Sequence, residues 1–513
     1  MRTIVVGAGS AGAIVAARLS EDGRHDVVLL EAGPDYPEAS ERLETLPSDL
    51  ADGKQNSMRR HDWGLSYKAT DHRLFSAVDM AFPRGRVVGG SSAVNTCIAL
   101  RGQPFDYDEW AALGLPDWSW EKCLPAFKRL ENDLDFDNEW HGNDGPIAIR
   151  RHRPEELVPW QAAFLEACAE LGFPACDDSN DPTKTGAGPH AMNKTRDGHR
   201  VSAARGYLTK AVRARPNLTI VPNTLVRRVR FAGKRVQGVE VERFGAVRDF
   251  TCDRVVLAGG AIATPGILLR SGIGPERDVL RLGVNLVIDS PGVAARLLDH
   301  PGMAVFFLPN KRGLSSVDHP IIQTVCRYTS EGSACPDDMQ LQPGSFIPLP
   351  RIPLAGVTLA LCLGKPKGHG RLRYLSARAD ARPVIETRLL TDEADRARAR
   401  EALRWIHRLS RTKAIAELAR PIYPSREPFG PGGDLKSPLE QITGSGYHPC
   451  GTAPMGPDGD PLAVTDGRGR VRGMKGLYIA DASLMPTIPS SNTNVPTLML
   501  GEKMGAWLRD STS

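Results

Sequence analysis

Two places in this chain carry residue types at spacings that chemistry could use. The first is Gly7-Ala8-Gly9-Ser10-Ala11-Gly12, a GxGxxG run between a short β-rich segment (3–6) and a helical one (13–19). The first glycine permits a tight turn, the second lets the backbone approach a pyrophosphate, and the third lets the helix pack on the strand. The helix N-terminus, with Ser10 and Ala11 in its opening turn, then presents free N–H groups and partial positive charge to the phosphates. Glu31 ends the next β-rich run (26–30), 19 residues after Gly12, where a carboxylate accepts hydrogen bonds from a ribose diol, with Ala32 beside it. An acid rather than an arginine there argues against the 2′-phosphate of NADP and leaves FAD and NAD both open. The second place is His448, between Tyr447 and Pro449 in a loop bounded by Gly444, Gly446 and Gly451. A neutral imidazole, with a pKa near 6.5, is suited to take a hydroxyl proton at neutral pH. A single histidine is more often structural than catalytic, so this one needs its context.

The elements around these residues suggest how they are held. Strand, glycine turn, helix and strand over the first 30 residues form a βαβ pattern, which implies a parallel sheet with helices on its faces. Similar units recur late. Residues 254–258, ending at Ala258, run into Gly259-Gly260 and a helix through 267–269, and 476–480 run into Asp481-Ala482. A sheet assembled from both ends of the chain follows. Residues 301–390 differ, with short alternating runs at 303–307, 357–361 and 371–375 that read as an antiparallel sheet. A charged, helically spaced stretch (395–411) and the loop 430–433 come next. The expected fold class is α/β: a Rossmann-like dinucleotide-binding domain with an interleaved α+β substrate-binding domain, an antiparallel sheet flanked by helices. The expected division is 1–155, 201–300 and 439–513 for the first domain, and 156–200 with 301–438 for the second.

Bulk properties narrow the function. The 513 residues are 41% hydrophobic and 24% charged, and the net charge of +5 arises from 65 basic and 60 acidic residues. So small a surplus gives no reason to expect nucleic acid. The nine cysteines stand singly, with no zinc-like spacing and no metal expected, and reduced thiols in a cytoplasmic protein are the simplest reading. Met1-Arg2 runs straight into the first strand, so no cleavable leader is expected. The longest charge-free apolar stretch (352–364) contains Pro353 and is too short for a membrane span.

Four longer segments identify the chain's kin. Residues 83–96 (PRGRVVGGSSAVNT) and 260–274 (GAIATPGILLRSGIG) look like the two signatures of the glucose–methanol–choline (GMC) oxidoreductases. Tyr447-His448-Pro449-Cys450-Gly451-Thr452 resembles that family's His-Pro segment, and Asn492-Thr493-Asn494-Val495-Pro496-Thr497 its closing one. The resemblance covers nearly the whole chain. It implies FAD as cofactor, with Arg86, Val88, Gly89, Asn95, Thr96 and Cys97 along it, and Val226, Ala258, Asp481, Ala482, Asn494 and Pro496 also at the site. Some relatives attach FAD through a histidine in the first signature. Val94 stands there in this chain, so non-covalent FAD is expected.

The same resemblance implies the reaction: oxidation of a primary alcohol to an aldehyde, with hydride transfer to flavin N5. Oxygen or another acceptor takes the electrons. His448 would be the base and Asn492, 44 residues later, the group that stabilises the alkoxide, since an amide cannot act as a base near pH 7. The alternative is that Asn492 and Asn494 cap turns before the helix expected near Pro496. A FAD-containing lyase of the same fold, hydroxynitrile-lyase-like and without net redox, is the alternative. An NAD-dependent dehydrogenase lacks a recognisable nicotinamide site. Phe306, Phe307 and Phe346, with the run 352–364, hint at an apolar or aromatic alcohol. The substrate itself, the natural acceptor and the oligomeric state are not encoded in any motif.

Overall fold

The computed structural model describes residues 1–54, 56, 60–68, 79–310, 314–348, 355–423, 439 and 443–511. Its first sheet has five parallel strands in the order Leu477–Ile479, Arg254–Leu257, Arg2–Val6, Asp26–Leu30, Leu218–Val221. Arg2–Val6 and Asp26–Leu30 read as continuous apolar runs because four of five residues in each are buried. This is the pattern of a parallel sheet covered on both faces. The order reverses at Arg2–Val6: the chain passes on one side to Asp26–Leu30, and Arg254–Leu257 adds on the other. Ligands of such sheets sit beyond the carboxyl ends of the strands at that reversal. Helices Gly12–Leu19 and Asn494–Asp510, from opposite ends of the chain, pack together there.

The second large sheet is antiparallel, with strands Ala419–Tyr423, Pro301–Pro309, Ala355–Leu363, Met339–Pro348, Thr324–Tyr328 and Gly186–Pro189 in that order. Alternation divides its faces. Met303, Val305, Phe307, Val357, Leu359, Leu361, Met339 and Leu341 enter a second hydrophobic core with helices Pro159–Glu170 and Glu393–Arg411. The other face looks into the cavity described below. Helix Glu393–Arg411 begins two residues before the expected start, where the Asp392 side chain accepts from the amides of Ala394 and Asp395. Its apolar stripe, including Ala399, Leu403 and Ile406, packs into the core while Arg404, Arg408 and Arg411 are exposed.

One expected strand belongs elsewhere. Arg371–Arg373 does not join the antiparallel sheet but pairs with Val384–Glu386 in a small sheet that includes Ser66–Lys68 and Asp79–Ala81. Leu372 and Ile385 fill the core of the parallel-sheet region, and Gly370 exchanges backbone hydrogen bonds with Leu297. Alternation reveals a strand but not its partner, which here is chosen by burial of Leu372. The loop 430–433 and residues 352–354 lie outside the described residues. Among the described residues, no helix is long and apolar enough to cross a membrane.

Candidate active site

A cavity of about 730 Å³ begins at the ends of the parallel strands and extends to the open face of the antiparallel sheet. This volume is within the roughly 300–1,000 Å³ of small-molecule and cofactor sites. At the strand end, Gly7 has φ +98°, and a Cβ on Gly12 would lie 1.9 Å from the Gly7 carbonyl oxygen, so both must lack a side chain. A Cβ on Gly9 would meet only Gly90 Cα, at 3.8 Å, so Gly9 leaves its side of the cavity open. Gly90 in turn must be glycine because its Cβ would come within 2.6 Å of Gly9 Cα. The first family-like segment thus abuts the dinucleotide loop backbone to backbone.

Glu31 is buried, and its carboxylate accepts from the amides of Ala8 (2.9 Å) and Gly33 (2.8 Å). Burial raises its pKa and the two amides pull it back, leaving it at about 7. Asp481 accepts from the amide of Gly260 and the hydroxyl of Thr264, tying the helix Gly260–Arg270 to the strand Leu477–Ile479. Asn494, the first residue of its helix, accepts from Ser10 Oγ at 2.9 Å, while its buried Nδ2 has no partner among the described residues. An unpaired amide donor and a side-chain-free glycine rim, both on this cavity, suit a pyrophosphate-bearing cofactor such as FAD.

Of the residues expected at the cofactor, Gly7, Gly9, Ser10, Ala11, Glu31, Ala32, Asn95, Thr96, Val226, Ala258, Asp481, Ala482 and Asn494 line this cavity. Gly12, Arg86, Val88, Gly89, Cys97 and Pro496 stand outside its lining. Gly12 supports the turn from behind, and the amides of Val88 and Gly89 bind the carbonyls of Pro34 and Ala8. Cys97 and Pro496 are buried in packing, and Arg86 lies over the Trp63 ring at 4.8 Å. All nine cysteines are free thiols.

At the other end, His448 and Asn492 face each other, with His448 Nε2 2.9 Å from the Asn492 amide nitrogen. His448 Nδ1 lies 2.9 Å from Nδ1 of His300, and His300 Nε2 lies 2.9 Å from the carbonyl oxygen of Pro489. A carbonyl only accepts, so His300 carries its proton on Nε2 and offers a lone pair at Nδ1. His448 must then donate from Nδ1, so its Nε2 lone pair, on the cavity, accepts from the Asn492 amide. Burial, His300 and Arg84 hold the His448 pKa well below its ordinary value, and burial above all brings His300 to about 4. Both rings are therefore neutral at pH 7.

The backbone around the pair is fixed as firmly. Asp299, almost fully buried, accepts from the amides of His300 (2.9 Å) and His448 (2.8 Å) and from the Ser445 hydroxyl. Burial raises its pKa to about 6 against these donors. Tyr447 has φ +64°, a strained value for a bulky residue, and is held by Ser445 Oγ on its amide and Arg84 on its carbonyl. A Cβ on Gly446 would lie 3.1 Å from His448 Nδ1, so that glycine protects the ring's position as well as leaving space.

His300 and Asp299 belong to none of the segments singled out in the sequence, and Arg84 lies in the first family-like segment without a role assigned to it. For the first two, the Asp299-His300-Pro301 run, a His-Pro pair at the mouth of a strand, is the available signal. Of the aromatic residues expected at the substrate, Phe306 lines the cavity, Phe307 is buried in the second core, and Phe346 stands apart from the cavity. Neighbours on a strand face opposite ways, so only one of the Phe306–Phe307 pair could serve. Of the run 352–364, Thr358, Ala360, Leu361 and Cys362 line the cavity.

The dinucleotide-type turn and the neutral histidine lie on one cavity, and comparison with known proteins gives the family. The GMC oxidoreductase family models match residues 1–302 (N-terminal part) and 366–501 (C-terminal part). The chain belongs to the GMC oxidoreductases, FAD-dependent enzymes acting on CH–OH groups. It is 34% identical to the 5-(hydroxymethyl)furfural oxidase of Methylovorus sp. (strain MP688), over 98% of this chain and 97% of that protein. It is 35% identical to an oxygen-dependent choline dehydrogenase of Stenotrophomonas maltophilia (strain K279a), over 99% and 95%. The crystal structure of pyridoxine 4-oxidase from Mesorbium loti superposes with a TM-score of 0.88 at 29% identity, covering 100% of both chains. These relatives are named for oxidation, which supports that reading over a lyase.

Proposed function

We propose that this chain oxidises an uncharged primary alcohol to its aldehyde, with His448 as base and Asn492 as the partner that holds the oxygen. The observation that carries the reading is the chain from the Pro489 carbonyl through His300 to His448, which aims one imidazole lone pair at the cavity. A substrate hydroxyl that takes the place of the direct Asn492–His448 hydrogen bond would give its proton to the ring and receive the Asn492 N–H at its oxygen. Bound FAD, non-covalently held, would supply the hydride acceptor, with oxygen or another acceptor taking the electrons. Asn494, Ser10 and the Gly7–Gly12 turn would hold its pyrophosphate, and Glu31 its ribose. Val94 lines the cavity and offers no nucleophile for attachment.

Charge supports a neutral substrate over a quaternary ammonium. Arg84 sits near enough to depress His448, and among the described residues the sheet face of the cavity carries no carboxylate and one aromatic ring, Phe306. An ammonium ion would need a carboxylate or an aromatic cage there. Anaerobic addition of primary alcohols to the yellow protein tests the reading: neutral arylmethanols should bleach the flavin, and choline should not. Retention of full colour with every alcohol would remove hydride transfer from the account.

A further inference from the structure

Strand register lays out the cavity face of the antiparallel sheet as three rows across three strands. Gly302, Cys362 and Gln340 stand side by side; then come Ala304, Ala360 and Gln342; then Phe306, Thr358 and Gly344. Cys362 marks the catalytic end, since its Sγ and ring nitrogens of His300 and His448 all lie within 4.8 Å of one another. Gln342 is the diagonal neighbour of Cys362, on the order of 7–8 Å away. That diagonal is flanked by Ala360 and Gln340, and on the far side of Cys362 and Ala360 the floor continues as Gly302 and Ala304, so apart from Gln340 no side chain around it is larger than a methyl group. None of the nine is charged.

The orientation of Gln342 is set from outside the cavity. Asp106 accepts from the Ser490 amide (2.9 Å) and hydroxyl (2.7 Å), which fixes Ser490 two residues from Asn492. The Ser490 carbonyl accepts from Gln340 Nε2 at 3.2 Å, and Gln340 Oε1 accepts from Gln342 Nε2 at 2.7 Å. A carbonyl cannot donate, so the direction of this chain is decided at Ser490. The NH₂ group of each glutamine points back along it. Gln342 Oε1 is left over on a cavity-lining side chain, with no partner among the described residues.

We infer that Gln342 determines specificity by accepting a hydrogen bond from a second donor, a hydroxyl or N–H, on an uncharged primary alcohol whose spacer is flat and about one ring long. The inference rests on the alcohol-oxidising reading above. A site built around an acceptor discriminates against an analogue lacking the donor, because the acceptor is then left unpaired.

The test compares kcat/KM of the flavin-containing enzyme for 1,4-benzenedimethanol and for 4-ethylbenzyl alcohol, which replaces the distal hydroxyl by a methyl group. After correction for the diol's two equivalent ends, the wild type should prefer it roughly tenfold. Gln342→Leu should bring the ratio close to one while oxidation of 4-ethylbenzyl alcohol changes only a few-fold. Gln342→Met, closer in shape, should do the same and serves if the leucine variant loses its flavin. Equal use of both alcohols by the wild type, or a preference that survives in the variants, overturns the role of Gln342 and leaves the alcohol oxidation standing. Failure of both alcohols to bleach the flavin overturns the underlying reading and this inference with it.

Discussion

Two buried histidine clusters in this molecule treat the imidazole in opposite ways. At the cavity, His448 meets His300 and an amide and no carboxylate touches either ring, so both rings stay neutral. At His141 the ring lies among three carboxylates: Nδ1 is 3.0 Å from both Glu131 and Asp133, and Nε2 is 2.7 Å from Asp178. Arg101 pairs with Glu131, and Arg151 with Asp133 and Asp178. Three carboxylates facing two guanidinium groups are balanced by one imidazolium. Burial opposes that charge, but the hydrogen bonds of Asp133, Asp178 and Glu131 outweigh it and raise His141 to about 10. Each cluster gathers three ligand-type atoms within 4.8 Å, and proximity alone would not tell them apart. Partner chemistry does. A histidine surrounded by acids is spent on structure, whereas one relayed through a second neutral histidine keeps an unprotonated nitrogen, here turned to Asn492 on the cavity.

The contrast breaks most visibly at His448. His448→Ala should lower turnover by roughly 10²–10⁴-fold with the flavin spectrum retained; near-normal steady-state rates would remove His448 as base. Next in size is His141→Leu, which leaves buried carboxylates uncompensated and should cost about 3–5 kcal/mol of stability. Urea denaturation measures the loss, and turnover per folded molecule should hold. The sign with pH follows from the raised pKa. The His141 contribution is complete below the unfolded value near 6.5 and disappears as pH rises through about 10, so the gap between wild type and variant should narrow toward alkaline pH. A gap that widened there would contradict a charged His141.

The smallest effect is expected at His300, which positions the base. His300→Leu removes the acceptor that sets the His448 tautomer and should lower kcat by about tenfold, as loss of one orienting hydrogen bond does. It also removes a neighbour that depresses His448. The acid limb of kcat/KM, well below pH 6.5 in the wild type, should therefore move upward. An unchanged pH profile would reduce His300 to packing.

Local features were legible in the sequence where one segment suffices to build them. The Gly7–Gly12 turn, Glu31 at its strand end and the helix from 393 to 411 depend on backbone conformation, alternation and capping within a few residues. His448 and Asn492 were found by resemblance, and the fold brings them to 2.9 Å. Less legible was whatever depends on the choice of a distant partner. His300 lies 148 residues before His448, the Gln340–Gln342 pair takes its direction from Ser490 150 residues away, and Arg371–Arg373 joins the sheet that buries Leu372.

By itself, the sequence determined the dinucleotide turn, the class of fold and the residue able to act as base, because steric and acid–base properties belong to the residues themselves. Only the tertiary structure decided that His448 is neutral with its Nε2 lone pair turned to Asn492 and the cavity, that His141 is charged, and that Phe306 rather than Phe307 faces the cavity. Those are properties of surroundings. Burial, the direction of a hydrogen-bond chain and the face of a strand exist only once remote segments have been brought together.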